Sequence, residues 1–135
     1  MREIKFRAWD KTYKRMNYKV QVGNTDYADQ NYTCNSIWVD YGDRKSIGWM
    51  NADDKCIDLM QFVGLKDKNG KEIYEGDILK TGTDKNMKVS WNNRFASFCI
   101  DRNGWAFSHW FGEGADPNDC EVIGNIYENS ELLNS

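Results

Sequence analysis

The feature that most constrains this chain is its punctuation. Asn69-Gly70, Asn92-Asn93 and Asn103-Gly104 interrupt runs whose apolar residues recur at every second position. Asparagine and glycine accept the positive φ angles that tight hairpin turns need. A period of two is the repeat of a strand with one buried face. A chain written this way is directed toward antiparallel sheet.

The strands can be followed in order. In "EIKFRAW", Ile4, Phe6 and Ala8 fall on one face and Lys5, Arg7 and Trp9 on the other, predicting a half-buried strand. "DKTYKR" then turns, and "MNYKVQV" is expected to return as its partner. "GNTDYADQNYT" reads as loop, and "SIWVDYGD" and "SIGWM" as short strands. "CIDLMQFVGL" suits a buried strand or a short helix by apolarity alone, with Ile57, Val63 and Gly64 favouring strand in its second half. "IYEGDILK" enters another strand after a turn at Gly76. "MKVSW" and "RFASFCI" flank Asn92-Asn93, and "FCI" and "WAFSHWF" flank "DRNG". "GEGADPND", with the only proline, reads as loop, "CEVIGNI" as the last strand, and "ENSELLNS" as a capped helical turn or fraying tail, with Asn129 or Ser130 as N-cap.

Five or six short strands joined by tight turns predict a small barrel or sandwich over residues 55–128. A boundary is expected in the polar stretch from Gly42 to Asp54. That gives an N-terminal hairpin and loop part over residues 1–54 and a barrel domain over 55–135. At 135 residues, burial alone can stabilise the fold without a metal or disulfide.

Charge gives little reason to look for a polyanionic partner. Eighteen basic and 21 acidic residues leave a net charge of −3, which disfavours nucleic acid and anionic membranes. Locally, Arg2, Lys5, Arg7, Lys11, Lys14 and Arg15 all fall within the first fifteen residues. The plain expectation is a solvated edge hairpin. No apolar run is long enough to span a bilayer, and "MREIKFRAWDK" lacks the apolar core and cleavage site of a secretory leader. The expected location is the cytoplasm. Cys34, Cys56, Cys99 and Cys120 are scattered, and His109 is the only histidine. Metal sites group their ligands more closely, so no metal or cofactor is expected and the cysteines read as inert thiols.

Three chemistries can be weighed against plain structure. Gly64, Gly70 and Gly76 are too far apart for a phosphate-cradling loop, and Gly70-Lys71 is followed by Glu72 with no helix pattern. Glu72, Glu75 and Asp77, or Asp53, Asp54 and Asp58, would serve acid–base chemistry only as a cleft pair with one raised pKa. Acids beside turns more often cap backbone amides. Cys99 and His109 fall on neighbouring predicted strands, but "SFCID" and "FSHWF" surround them with aromatics rather than an activating positive field. No catalytic residue is assigned. Asn69, Gly70, Gly76 and Asp77 read as structural turn residues.

The aromatic excess is more suggestive. Trp91, Phe95, Phe98, Trp105, Phe107, Trp110 and Phe111 crowd one region, more large rings than the single interior of a small barrel can hold. Plain core is the first reading of such rings; for those the interior cannot hold, Trp91, Arg94, Trp105 and Trp110 are the candidate binding or interface surface. Tryptophan and arginine are enriched at protein interfaces, and aromatics near Arg94 and Arg102 could also stack bases.

"REIKFRAWD", "LMQFVGLKDKNGKEIYEGDI" and "EVIGNIYENSELL" together resemble, in the same order, the YopX family of phage and prophage proteins. Val63 stands where the family usually has Thr and Ser130 where it usually has Pro; neither touches the turn glycines. The resemblance implies a mainly β fold, with an SH3-type small barrel after a smaller β-rich N-terminal part, and self-association. It brings no established activity, so no catalytic residues transfer. The expectation is a non-enzymatic accessory protein that binds protein, as a homo-oligomer or with an unknown phage or host protein. The alternative is a nucleic-acid-binding module using the basic N-terminal hairpin and exposed aromatics.

Overall fold

A computed structural model describes residues 3–23, 36–40, 49–52, 56–81, 86–94, 96–101, 108–110 and 116–134. The protein is mainly β, and its described residues include no α-helix. It divides into two compact units, Ile4–Gln61 and Phe62–Ser135 with Met1–Glu3.

The first unit contains β1 (Phe6–Asp10), β2 (Arg15–Asn17), β3 (Val20–Gly23), β4 (Ser36–Asp40), β5 (Trp49–Ala52) and the start of β6 (Ile57–Lys66). β1 lies between two antiparallel partners, with Ala8 opposite Asn17 of β2 and opposite Leu59 of β6. β3, β4 and β5 form a second antiparallel sheet. Ala8, Val39 and Ile57 make the buried centre, joined by Val20 and Ile37.

Two expectations for this unit change. "MNYKVQV" is not one returning strand: β2 pairs with β1, whereas β3 pairs with β4. Asn17 makes the break. Its carboxamide oxygen accepts the Lys19 amide at 2.8 Å and its Nδ2 donates to the Asp40 carbonyl at 3.1 Å, while the Asp40 amide donates to the Lys19 carbonyl. The chain is thereby passed from one sheet to the other. Nor is the first strand half-buried, because Arg7, Ala8, Trp9 and Asp10 are all buried.

The second unit takes the end of β6, then β7 (Glu72–Tyr74), β8 (Asp77–Lys80), β9 (Asn86–Asn92), β10 (Ser97–Asp101), β11 (Ser108–Trp110) and β12 (Glu121–Asn125). Its five-stranded antiparallel sheet runs β11-β10-β9-β8-β12 and curls into a half-barrel, compatible with an SH3-type barrel. Ile73, Leu79, Val89, Ile100 and Cys120 form the core, with Val63, Leu65, Met87 and Val122 packed around it. The turn between β6 and β7 joins β12, where the Lys68 amide donates to the Cys120 carbonyl at 3.0 Å. Short 3-10 turns cover Pro117–Asp119 and Ser130–Asn134, the latter tied to β9 by Asn86 Nδ2 donating to the Leu132 carbonyl. No helix among the described residues is long and apolar enough to cross a membrane.

Candidate functional site

The candidate surface is built on the β9–β10 hairpin. Asn92 and Ser97 face each other across its end, enclosing a four-residue loop. The Asn92 carboxamide oxygen accepts the Arg94 amide at 2.9 Å, and Ala96 closes the loop with φ of 49°. Asn92-Asn93 does not itself make the turn that its residue types predict. Instead Asn92 ends the strand and organises the loop through its side chain, an Asx turn.

This construction fixes what the hairpin displays. Trp91 and Phe98 are cross-strand partners, and their rings meet edge to face at 4.9 Å with 72° between planes. Such a pair contributes about 0.5–1.5 kcal/mol beyond its burial. Trp91 is nevertheless 43 % exposed, and Arg94 is exposed in the loop beside it. Trp110 occupies the neighbouring row of the sheet, opposite Cys99, which itself lies opposite Ser90. Trp105 lies outside the described residues, as do Arg102, Phe95, Phe107, Phe111, Asn103 and Gly104.

Of the acids named from sequence, Asp77 is committed to backbone. Asp77 is buried and accepts the Tyr74 amide at 2.8 Å. Gly76, at φ of 89°, donates its amide to the Val89 carbonyl and accepts the Ile126 amide. Asp77 and Gly76 thus shape the step from β7 to β8. Asp58 forms an ion pair with Lys11 at 3.2 Å, both groups part-exposed, while Asp53 and Asp54 lie outside the described residues. Asn69 and Gly70 form the tip of the β6–β7 turn, with Gly70 at φ of 81° and its amide on the Asp67 carbonyl.

Sequence reasoning missed Asp67, the most heavily used acid of that turn. Its Oδ1 accepts the Asn69 and Lys71 amides and its Oδ2 the Val122 amide, each at 2.9 Å. Burial pushes its carboxyl up, but the three amides and the Lys71 charge outweigh this and hold it below the usual aspartate value. An aspartate two residues before Asn-Gly was the available signal. Asp10 does similar work between β1 and β2, where its Oδ1 accepts the Thr12 and Tyr13 amides at 2.9 and 3.1 Å.

The thiols are equally structural in setting. Cys99 lies opposite Trp110, not His109, which faces Ile100 in the register. Its Sγ lies 3.5 Å from Ser90 Oγ. Cys120 donates to the Asp116 carbonyl, and burial pushes its thiol up, with Asp119, Asp116 and Asp67 adding in the same direction. Cys56 is exposed, and Cys34 lies outside the described residues.

Residues 5–134 match the family described as YopX protein, and the chain belongs to that family. It is similar to a solved structure, protein EF1440 from Enterococcus faecalis, at 29 % identity and a TM-score of 0.65, over 98 % of this chain and 99 % of that one. None of the curated proteins matches it.

Proposed function

We propose that this member of the YopX family is a phage- or prophage-encoded accessory protein that acts by binding protein in the host cytoplasm, a second copy of itself first of all. The reading is non-enzymatic. The observation that carries it is Trp91, held edge-on by Phe98 yet left 43 % exposed beside Arg94 on the β9–β10 hairpin. A tryptophan on a strand and an arginine in the adjoining turn are the residue types that dominate binding energy when desolvated by a partner. The phage setting rests on the resemblance that the three sequence blocks carry.

Light scattering across a concentration series, at low and high salt, tests this. The expected result is a multimer that persists in high salt and whose dissociation constant rises at least tenfold in Trp91→Ala. A monomer at every concentration, or a multimer indifferent to Trp91→Ala and Arg94→Ala, overturns it.

A further inference from the structure

Residues 11–19, "KTYKRMNYK", contain Lys11, Lys14, Arg15 and Lys19 and no acid. Their charge of +4 sits in a chain of net −3, so the rest carries −7. At physiological salt, charges farther than about 8 Å are largely screened, so a ligand at this hairpin meets these four cations together with the neighbouring Asp10 and Asp58.

The turn presents them on a fixed backbone. Asp10 and Arg15 are cross-strand partners, and the four residues between them are all exposed. The buried Asp10 carboxylate holds the Thr12 and Tyr13 amides, and the Asp10 carbonyl accepts the Lys14 amide at 2.9 Å. Lys14 closes the loop at φ of 57°, a conformation that glycine or asparagine adopts at lower cost. A lysine there forgoes stability, and its charge is displayed in return.

Tyr13, at the tip, is 71 % exposed, with the Arg15 guanidinium 5.6 Å from its ring centre. Tyr18, beyond β2, is 57 % exposed, with the Arg7 guanidinium 6.0 Å from its ring centre and Arg7 Nη1 donating to its hydroxyl at 3.5 Å. Arg7 is itself buried, so it steadies the ring rather than reaching a ligand. Lys11 is shared with Asp58, which weakens but does not cancel its charge, since that pair is about 40 % exposed on each side.

We infer that the β1–β2 hairpin is a binding site for single-stranded nucleic acid, with Tyr13 stacking a base and Lys11, Lys14 and Arg15 holding the flanking phosphates. Aromatic rings interleaved with cations suit this ligand because every base offers a π face and every linkage a charge. An anionic membrane would use the cations but has no need of the ring. The residues of the site all belong to the first unit, and none is part of the β9–β10 hairpin.

The test is fluorescence anisotropy of a labelled oligothymidine with the full chain. Three phosphate contacts give a slope of log affinity against log salt of about −2, so affinity falls roughly twentyfold between 50 and 200 mM salt. Lys14→Gly should make that slope shallower by about 0.7, with a melting temperature equal to or above that of the parent. Tyr13→Ala should weaken binding by roughly 5- to 150-fold, and Tyr13→Phe should restore it. Thermal melts confirm that both Tyr13 variants are folded. No anisotropy change at 50 mM salt overturns the inference. So does affinity unchanged in Tyr13→Ala, or binding to phosphatidylserine vesicles without binding to the oligonucleotide.

Discussion

The carboxylate of Asp67 accepts the amide of Val122 at 2.9 Å across 55 positions of sequence, while its other oxygen holds the amides of Asn69 and Lys71. One side chain shapes the β6–β7 turn and fastens it to the last strand. Removing it has two unequal consequences. Asn69 and Lys71 are exposed and their amides can turn to water, but Val122 is only part-exposed. Asp67→Ala is expected to cost about 2–4 kcal/mol in urea unfolding, within the range for lost charge-assisted bonds and a stranded donor. Asp67→Asn keeps one acceptor oxygen and should lose less.

The same carboxylate gives stability a pH dependence of known sign. Its folded pKa lies below the ordinary aspartate value of 3.8. Its contribution is therefore fully present above the unfolded pKa and disappears as pH falls through the folded value. Unfolding free energies of parent and Asp67→Asn should differ by a constant amount above pH ~5 and converge below pH ~4. A gap that widens on acidification would contradict the assignment.

Gly124 predicts a steric cost. A Cβ built there would lie 2.5 Å from Asn129 Oδ1 and 2.8 Å from Asn129 Cβ, and that oxygen accepts the Asn125 amide at 3.2 Å. Asn129 cannot swing away without releasing its bond. Gly124→Ala should destabilise by about 1–3 kcal/mol. Much of that should vanish in an Asn129→Gly background, which removes the Cβ as well as the carboxamide, giving a non-additive double-mutant cycle.

Ala96 predicts the opposite sign. Its φ of 49° belongs to the left-handed region, where a Cβ is unfavourable. Ala96→Gly should raise stability by about 0.5–1 kcal/mol, the relief of strain being partly offset by a more flexible unfolded chain. Thermal melting reads it directly.

Alkylation of the native chain separates the thiols. Cys56 is exposed, whereas Cys99 and Cys120 are buried and the Cys120 thiol is pushed up. Peptide mapping after iodoacetamide should find Cys56 modified before both, and Cys99 and Cys120 only under denaturant.

These particulars show what was legible in the sequence. Strand existence was, because period-two runs and Asx-Gly turns are local signals: "SIWVD", "DILK" and "EVIGN" became β4, β8 and β12. The switch of partner at Asn17 was not, since it depends on hydrogen bonds to Lys19 and Asp40 that only the assembled sheets supply. Arg7 alternates like a surface charge, yet it is buried with Tyr18 beside it. Asp67 escaped notice because its decisive partner is far away in sequence. For the candidate surface, the residue types were visible in "SWNNR", but the exposure of Trp91 depends on how the hairpin packs.

The neighbour relations of the second sheet also order its assembly in time. β8, β9, β10 and β11 follow one another as a meander, whereas β12 must return to pair with β8. Closing that long loop carries an entropic cost that the adjacent hairpins avoid. The meander is thus placed early on the folding route, and the docking of β12 late, with the Asp67–Val122 bond as its latch. A weakened latch then leaves the rate of folding nearly unchanged and shortens the lifetime of the folded state.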